Sequence, residues 1–327
     1  MHKLYPLKFE PVLKQTLWGG DKIFSYKHID EVLPNVGESW ELSAIKGSES
    51  IVANGSEKGT TLSELLAKYK GDLVGASNYA RYGNKFPLLV KFIDANKDLS
   101  IQVHPNDELA MKRHDCAGKN EMWYVVAADE TAKLIPGFSR HITSQEYKNR
   151  VHDGTLIDVL QTVLVKTGDV FYVPAGRVHG IGPGVFILEI QQTSDITYRI
   201  FDYGRKDKNG RPRELHTDLA MEAIDFSEVQ DNFRTEYEHK QNEPIELVAT
   251  PDFTTSVYDM TESITCDYSE LDSFVVLVCV EGSCRLLDDV QNELDMHAGE
   301  TVLLPATTRE LTVLPADGGV KFLETYV

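Results

Sequence analysis

Along most of this chain, apolar and polar residues alternate in steps of two, the period of a half-buried strand. The clearest runs are Phe86-Pro-Leu-Leu-Val-Lys-Phe-Ile, Leu99-Ser-Ile-Gln-Val-His, Met122-Trp-Tyr-Val-Val, Val170-Phe-Tyr-Val-Pro and Val185-Phe-Ile-Leu-Glu-Ile. Each is short and bounded by Gly, Pro, Asn or Asp, which predicts a mostly β domain of the sandwich or barrel type. Helical signals are fewer. Thr61-Leu-Ser-Glu-Leu-Leu-Ala-Lys-Tyr carries a capping box, with Thr61 as N-cap and Glu64 three residues on. Further short helices are expected over 144–152 and 215–224. Between Phe226 and Glu243 the chain turns polar, which reads as a connector. Strand-like runs resume in Phe274-Val-Val-Leu-Val-Cys-Val, Ser283-Cys-Arg-Leu-Leu, Thr301-Val-Leu-Leu-Pro and Val320-Lys-Phe-Leu-Glu. The pattern therefore divides the chain into residues 1–240 and 241–327.

A short echo links the two parts. Gly168-Asp-Val-Phe-Tyr-Val-Pro-Ala matches Gly299-Glu-Thr-Val-Leu-Leu-Pro-Ala, a Gly-acid turn leading into a strand that ends at Pro-Ala. Four residues beyond Ala175 stands His179; four beyond Ala306 stands Glu310. The expectation is two related β-barrels, the first holding a metal and the second metal-free.

Composition narrows the class. The 327 residues are 42% apolar and 26% charged, ordinary values for a globular protein. No apolar run reaches the ~20 residues of a membrane span, and the start lacks a signal-peptide core. The four cysteines form no CxxC pair. These features together point to the cytoplasm. A net charge of −18 repels nucleic acid and anionic membranes, so neither is expected as a partner. It repels phosphorylated metabolites too, so such a substrate needs a local cluster of Lys or Arg. Nothing in the pattern distinguishes a monomer from a homo-oligomer.

The candidate chemistry lies in the first part. Gln102 and His104 are two apart on a strand, so their side chains share a face. Glu121 opens an apolar strand, where an unpaired carboxylate would be costly. His179 follows Pro174-Ala-Gly176-Arg-Val. Two imidazoles, a carboxylate and an amide oxygen can hold a divalent ion while leaving a position open, as in catalytic zinc sites. His114 and Cys116 are alternative ligands, but Lys112, Arg113, Asp115, Gly118 and Lys119 around them read as an exposed loop. His2, His28, His141, His152, His239 and His297 have no ligand pattern.

The Gly-x5-Pro-x-Gly-x2-His stretch resembles the second motif of the cupin superfamily. Gln102-Val-His-Pro-Asn-Asp, followed by Lys119-Asn-Glu121 and Asp195-Ile-Thr-Tyr-Arg199, resembles type I mannose-6-phosphate isomerase in its short bacterial form. The resemblance runs from Trp18-Gly-Gly and Gly37-Glu-Ser-Trp-Glu-Leu-Ser to the C-terminus. It implies a jelly-roll cupin barrel with a few helices and a second cupin-like β domain. It implies one Zn²⁺ on Gln102, His104, Glu121 and His179. Arg199, Lys119 and Asp195 then fall on catalytic positions, and Lys91 and Ser100 on substrate positions, where the two would hold the phosphate dianion. The chain departs from the family in two places. Gly118 stands where some long members carry His, and the His104–Glu121 interval exceeds that of the usual first cupin motif.

The implied reaction interconverts mannose 6-phosphate and fructose 6-phosphate through an enediol. Zinc and Arg199 would stabilise negative charge on the sugar oxygens. Zinc-bound hydroxide, Lys119 or Asp195 could be the base, and a lysine beside a dication and an arginine has its neutral form favoured. From the residues alone, Arg199 could instead form a salt bridge with Asp195 or Asp202. Two rival readings are another metal cupin enzyme, such as a dioxygenase or a different sugar-phosphate isomerase, and a non-catalytic sugar-binding cupin.

Overall fold

The lone charges within the apolar runs show how the first sheet is oriented. The structure is a computed structural model describing residues 4–30, 33–206, 209–227, 229 and 233–327, so His2 lies outside the described residues. Leu88–Ala95 pairs antiparallel with Val36–Leu42 and Val185–Gln192, and the latter pairs with Glu121–Ala128. Val170–Val173 and the short Arg234–Thr235 continue the sheet on one side, and Val12–Gly20 lies near its other edge. Successive strand residues face opposite ways. Leu88, Val90, Phe92, Met122, Tyr124, Phe186, Leu188 and Ile190 join one apolar cluster. Ile93, Trp123, Val125, Val185 and Ile187 join another. Lys91, Glu121 and Glu189 are in step with the second set, so the strand period alone turns them inward.

A second layer closes the barrel over those side chains. It contains Ile101–Val103 paired with Tyr198–Phe201, and a three-stranded sheet of Gly180–Ile181, Lys133–Ile135 and Val163–Leu164. A bridge between Gln102 and His179 joins the two pieces. The result is the mostly β barrel with few helices that the pattern predicts.

The strands from Pro244 onward form a second sheet, with Thr254–Met260, Glu310–Tyr326, Val275–Asp288 and Thr301–Leu304 in succession. Leu7–Glu10 crosses over to pair with Thr301–Leu304 and carries Ile51–Val52 with it. This sheet packs on the outer face of the first through Val276, Val278, Leu303 and Leu323. Phe86 and Phe274 meet with ring centroids 4.6 Å apart. The first sheet is thus covered on both faces, which is why its strands read as nearly continuous apolar runs. The separate runs expected at 274–280 and 283–287 are one strand, with register shifts flanking Glu281 and Gly282. Gly282 has φ 72°, and a Cβ there would lie 2.1 Å from Gly319 O.

Helices Leu62–Tyr69, Ser144–Asp153 and Thr217–Ala223 match the three expected ones. The capping box forms: Thr61 Oγ1 accepts from Glu64 N at 3.2 Å, and Glu64 Oε2 accepts from Thr61 N at 2.9 Å. Helix Asp107–His114 was not expected; Asn106 caps it, accepting from Leu109 N at 3.0 Å. Within the expected connector, residues 228 and 230–232 lie outside the described residues, and Arg234–Thr235 pairs with Val170–Phe171.

The repeat has a physical basis in its turns. Gly168 and Gly299 have φ 88° and 85°. Asp169 accepts from Lys166 N at 2.9 Å, and Glu300 from His297 N at 2.8 Å. Each acid also meets a cation, Arg234 at 3.1 Å and Lys8 at 2.8 Å. Beyond the two prolines the copies diverge, since His179 is buried and Glu310 is exposed. No described helix is long and apolar enough to cross a membrane.

Candidate active site and metal centre

Strand geometry brings three side chains to one point. Glu121 comes from the seven-stranded sheet, His104 follows Ile101–Val103, and His179 follows the Pro174–Gly176 turn. Their ligand atoms lie within 4.8 Å of one another, and all three residues are buried. His104 Nδ1 donates to Ile196 O at 2.8 Å, and His179 Nδ1 donates to Arg177 O at 2.9 Å. A carbonyl can only accept, so each ring carries its proton on Nδ1 and aims the Nε2 lone pair at the centre. Burial, then the Lys119 ammonium, lowers the His104 pKa. Burial outweighs the opposing Glu121 charge and holds His179 down to about 3. Both rings are therefore neutral near pH 7, the state a metal requires.

Glu121 completes the set. Burial alone would raise its pKa, but the charge of Lys119 above all holds it well below the usual carboxylate range. Neither oxygen accepts a hydrogen bond of good geometry, although Lys119 Nζ lies 2.5 Å from Oε1. A fully buried carboxylate with open lone pairs beside two unprotonated imidazole nitrogens fits a divalent ion. Gln102 stands next to them, its Nε2 3.3 Å from His179 Nε2 and its Oε1 3.4 Å from Ser100 Oγ. Turning the amide by 180° presents Oε1 to the centre in the same space.

The centre lies just behind Gln102 and Lys119, which line a cavity of about 550 Å³. Gln102, Ser100, Lys91, Lys119, Asp195 and Arg199 all line it. Lys119, expected in an exposed loop, is buried together with Gly118. The correction has a local cause: Gly118 N donates to Asp107 Oδ1 at 2.7 Å, and a Cβ on Gly118 would lie 2.6 Å from Asp107 N. That close approach folds the segment back under the helix and turns Lys119 inward, its Nζ 3.3 Å from His104 Nε2. Lys91 is buried and pairs with Glu189 Oε1 at 2.8 Å. Burial pushes its pKa down, but Glu189, Glu38 and Glu121 more than reverse this and keep it an ammonium. Asp195 is exposed on the loop leading into Tyr198–Phe201.

Arg199 sits opposite Gln102 in register. Its Nη1 donates to Glu214 O at 3.0 Å, and its buried Nε has no hydrogen-bond partner. The salt bridge to Asp202 weighed from sequence does not form, because Arg205 and Arg213 occupy that carboxylate. His114 and Cys116 stay outside the centre. His114 Nε2 meets Tyr198 Oη at 2.8 Å, and Cys116 Sγ faces Ser194 Oγ at 4.0 Å.

The family models match in two blocks. Residues 6–130 match the catalytic domain of phosphomannose isomerase type I, and residues 244–320 match the cupin domain of mannose-6-phosphate isomerase. The mannose-6-phosphate isomerase ManA of Bacillus subtilis is 36% identical over 306 residues, covering 92% of this chain and 93% of that protein. The chain belongs to the type I phosphomannose isomerase family. The mannose-6-phosphate isomerase of Streptococcus mutans is 33% identical over 304 residues, 93% of each chain. A crystal structure of the B. subtilis mannose 6-phosphate isomerase superposes with a TM-score of 0.87 at 30% identity, covering 98% of this chain and 99% of that one. Against this family background, sequence reading missed four cavity or near-cavity residues. Glu189 interrupts an apolar run just as Lys91 does, so its signal was present. Gln191 follows two residues later, opposite Glu121 in register, with a buried Oε1 that accepts no hydrogen bond. Glu38 and Arg213 line the cavity without any pattern that marks them.

Proposed function

We propose that the chain is a cytoplasmic, zinc-dependent aldose–ketose isomerase that interconverts mannose 6-phosphate and fructose 6-phosphate. The observation that carries this reading is the buried His104–Glu121–His179 cluster, with both rings neutral and the carboxylate open, beside a cavity lined by Gln102, Lys119 and Arg199. The four free cysteines accord with a reducing compartment.

His104, Glu121, His179 and Gln102 would hold the ion. Zinc bound there supplies Lewis-acid stabilisation to the oxygens of the substrate. The protein's own residues do the rest. The open-chain sugar enters with C1 and C2 toward Lys119 and Arg199. Removing the C2 proton leaves negative charge on O1, and Arg199 supplies fixed positive charge beside it. The proton returns to C1 while the O2 hydroxyl proton passes to O1, which balances aldose against ketose. We assign the carbon-bound proton to Lys119 rather than Asp195, because Lys119 is buried against the ligand atoms whereas Asp195 is exposed. Ser100 and Lys91 bind the substrate from the cavity wall.

A coupled assay with mannose 6-phosphate and glucose 6-phosphate in parallel tests the reading. Turnover of mannose 6-phosphate with a large excess over glucose 6-phosphate is expected. Equal or absent turnover of both would overturn it. In D₂O, the wild type should incorporate deuterium at C1 of the fructose 6-phosphate formed, and Lys119→Met should abolish this while retaining the metal.

A further inference from the structure

The −18 net charge leaves one question open at this site: what holds a phosphate dianion. The deep wall of the cavity is poorly suited to it. Lys91 is matched by Glu189 at 2.8 Å, and Glu38 shares the same lining. The opposite wall is different. Ile101–Val103 runs antiparallel to Tyr198–Phe201, with Gln102 opposite Arg199 and Ile101 opposite Phe201. Ser100 therefore lies toward the end of the strand pair where Asp202 follows, and Gln102 and His104 lead the other way to the candidate metal centre. Asp202 is buried, and two arginines converge on it. Arg205 Nε donates to Oδ1 at 3.0 Å, and Arg213 Nε donates to Oδ2 at 2.7 Å, with Arg213 Nη2 also on Oδ1.

The two arginines differ in one respect. Arg205 spends Nη1 on Asp98 O and lies outside the cavity lining. Arg213 lines the cavity, and among the described residues nothing accepts from its Nη1. Asp202 fixes the plane of that guanidinium, so the free edge is presented without loss of rotamer freedom on binding. Arg199 adds its unpartnered Nε on the same wall. Burial lowers the Arg199 pKa and the neighbouring Arg213 lowers it further, which sets the two cations side by side on this wall. Two carboxylates, Asp202 and the exposed Glu214, stand against Arg199, Arg205 and Arg213, so this wall still carries the surplus of positive charge that a dianion requires.

Resting on the isomerase reading, we propose that Arg213, braced by Asp202, is the phosphate anchor of the site, with Ser100 Oγ as its neutral partner. The sugar phosphate then lies along the cavity, phosphate at Arg213 and C1–C2 at Lys119 and the metal ligands. Arg213 is a binding residue that fixes which end of the substrate reaches the centre.

The test uses the full-length holoenzyme and two readouts. One is KM and kcat for mannose 6-phosphate. The other is inorganic phosphate binding by calorimetry, which does not depend on turnover. Arg213→Gln should raise KM and the phosphate Kd by tenfold or more and change kcat by less than threefold. Arg213→Lys keeps the charge but loses the braced fork, and should fall between Gln and wild type. Arg205→Gln loses the same carboxylate contact outside the lining and should leave KM within threefold, which separates a lost anchor from a disturbed loop. If Arg213→Gln does not fold, the Lys variant carries the test. Unchanged KM and unchanged phosphate affinity in the Arg213 variants would overturn the proposal, as would an equal rise in KM for Arg205→Gln. If the wild type binds phosphate in an Arg213-dependent way but does not turn over mannose 6-phosphate, the anchor stands and the isomerase reading fails.

Discussion

At the scale of single residues, the site depends on charges held without water. Arg199→Ala removes fixed positive charge from the strand beside Gln102, and kcat should fall by ~10²-fold or more with metal content and melting temperature kept. A near-wild-type rate would make Arg199 structural. Asp202 gives a pH prediction. Burial works against its ionisation, but the hydrogen bonds and charges of Arg213 and Arg205 prevail and its pKa is lowered. A lowered folded-state pKa means the unfolded chain binds the proton first. The stabilisation is thus present above the unfolded value of about 3.9 and is lost as pH falls through the folded value. Thermal melts taken from pH 5 downward should show a shallower decline for Asp202→Asn than for wild type. The His104, Glu121 and His179 cluster was legible because these residues stood on or beside apolar strands next to Pro and Gly turns. Arg213 was not, because its partner Asp202 lies 11 positions earlier and only folding brings them together.

At the scale of elements, local signals were legible where apolar period and cap agreed. Leu62–Tyr69 has Leu62, Leu65 and Leu66 buried behind a complete capping box. Thr61→Ala should cost about 0.5–2 kcal/mol, read as a shift in the denaturation midpoint with no change in catalytic constants. Helix Asp107–His114 escaped notice because it buries Ala110 alone and so shows no apolar stripe. Its signals were the Asn106 cap, the acids Asp107 and Glu108 in the first turn, and the basic Lys112–His114 end. They are weaker than a hydrophobic period, and they explain why residues 112–119 read as loop. The strands read correctly as strands, but their lengths did not. Val275–Asp288 continues through a shifted register that pattern reading takes for a turn.

At the scale of the whole molecule, the first sheet serves two cores at once. Its inward face sets the centre, and its outward face packs on the second sheet, so disturbance of the contact between the sheets reaches the site through shared strands. Phe274→Ala removes a fully buried ring at that contact and should cost about 3–5 kcal/mol, seen as an earlier denaturation transition in which the fluorescence of Trp18, Trp40 and Trp123, all in the first part, and the far-UV circular dichroism of both sheets move together. Independent transitions would mean that the two sheets are not energetically joined. The passage of Leu7–Glu10 into the second sheet was invisible in the sequence, because four residues of ordinary strand pattern carry no mark of their partner. The repeat was visible because both copies keep the same glycine turn and bonded acid. The central claim is that one divalent ion held by His104, Glu121 and His179 makes this chain an isomerase. The direct measurement is zinc content per chain and mannose 6-phosphate turnover on the same sample, before chelation, after it and after zinc is restored. The account predicts about one zinc per chain, with activity falling and returning in proportion to it. Undiminished turnover in metal-free protein would contradict it.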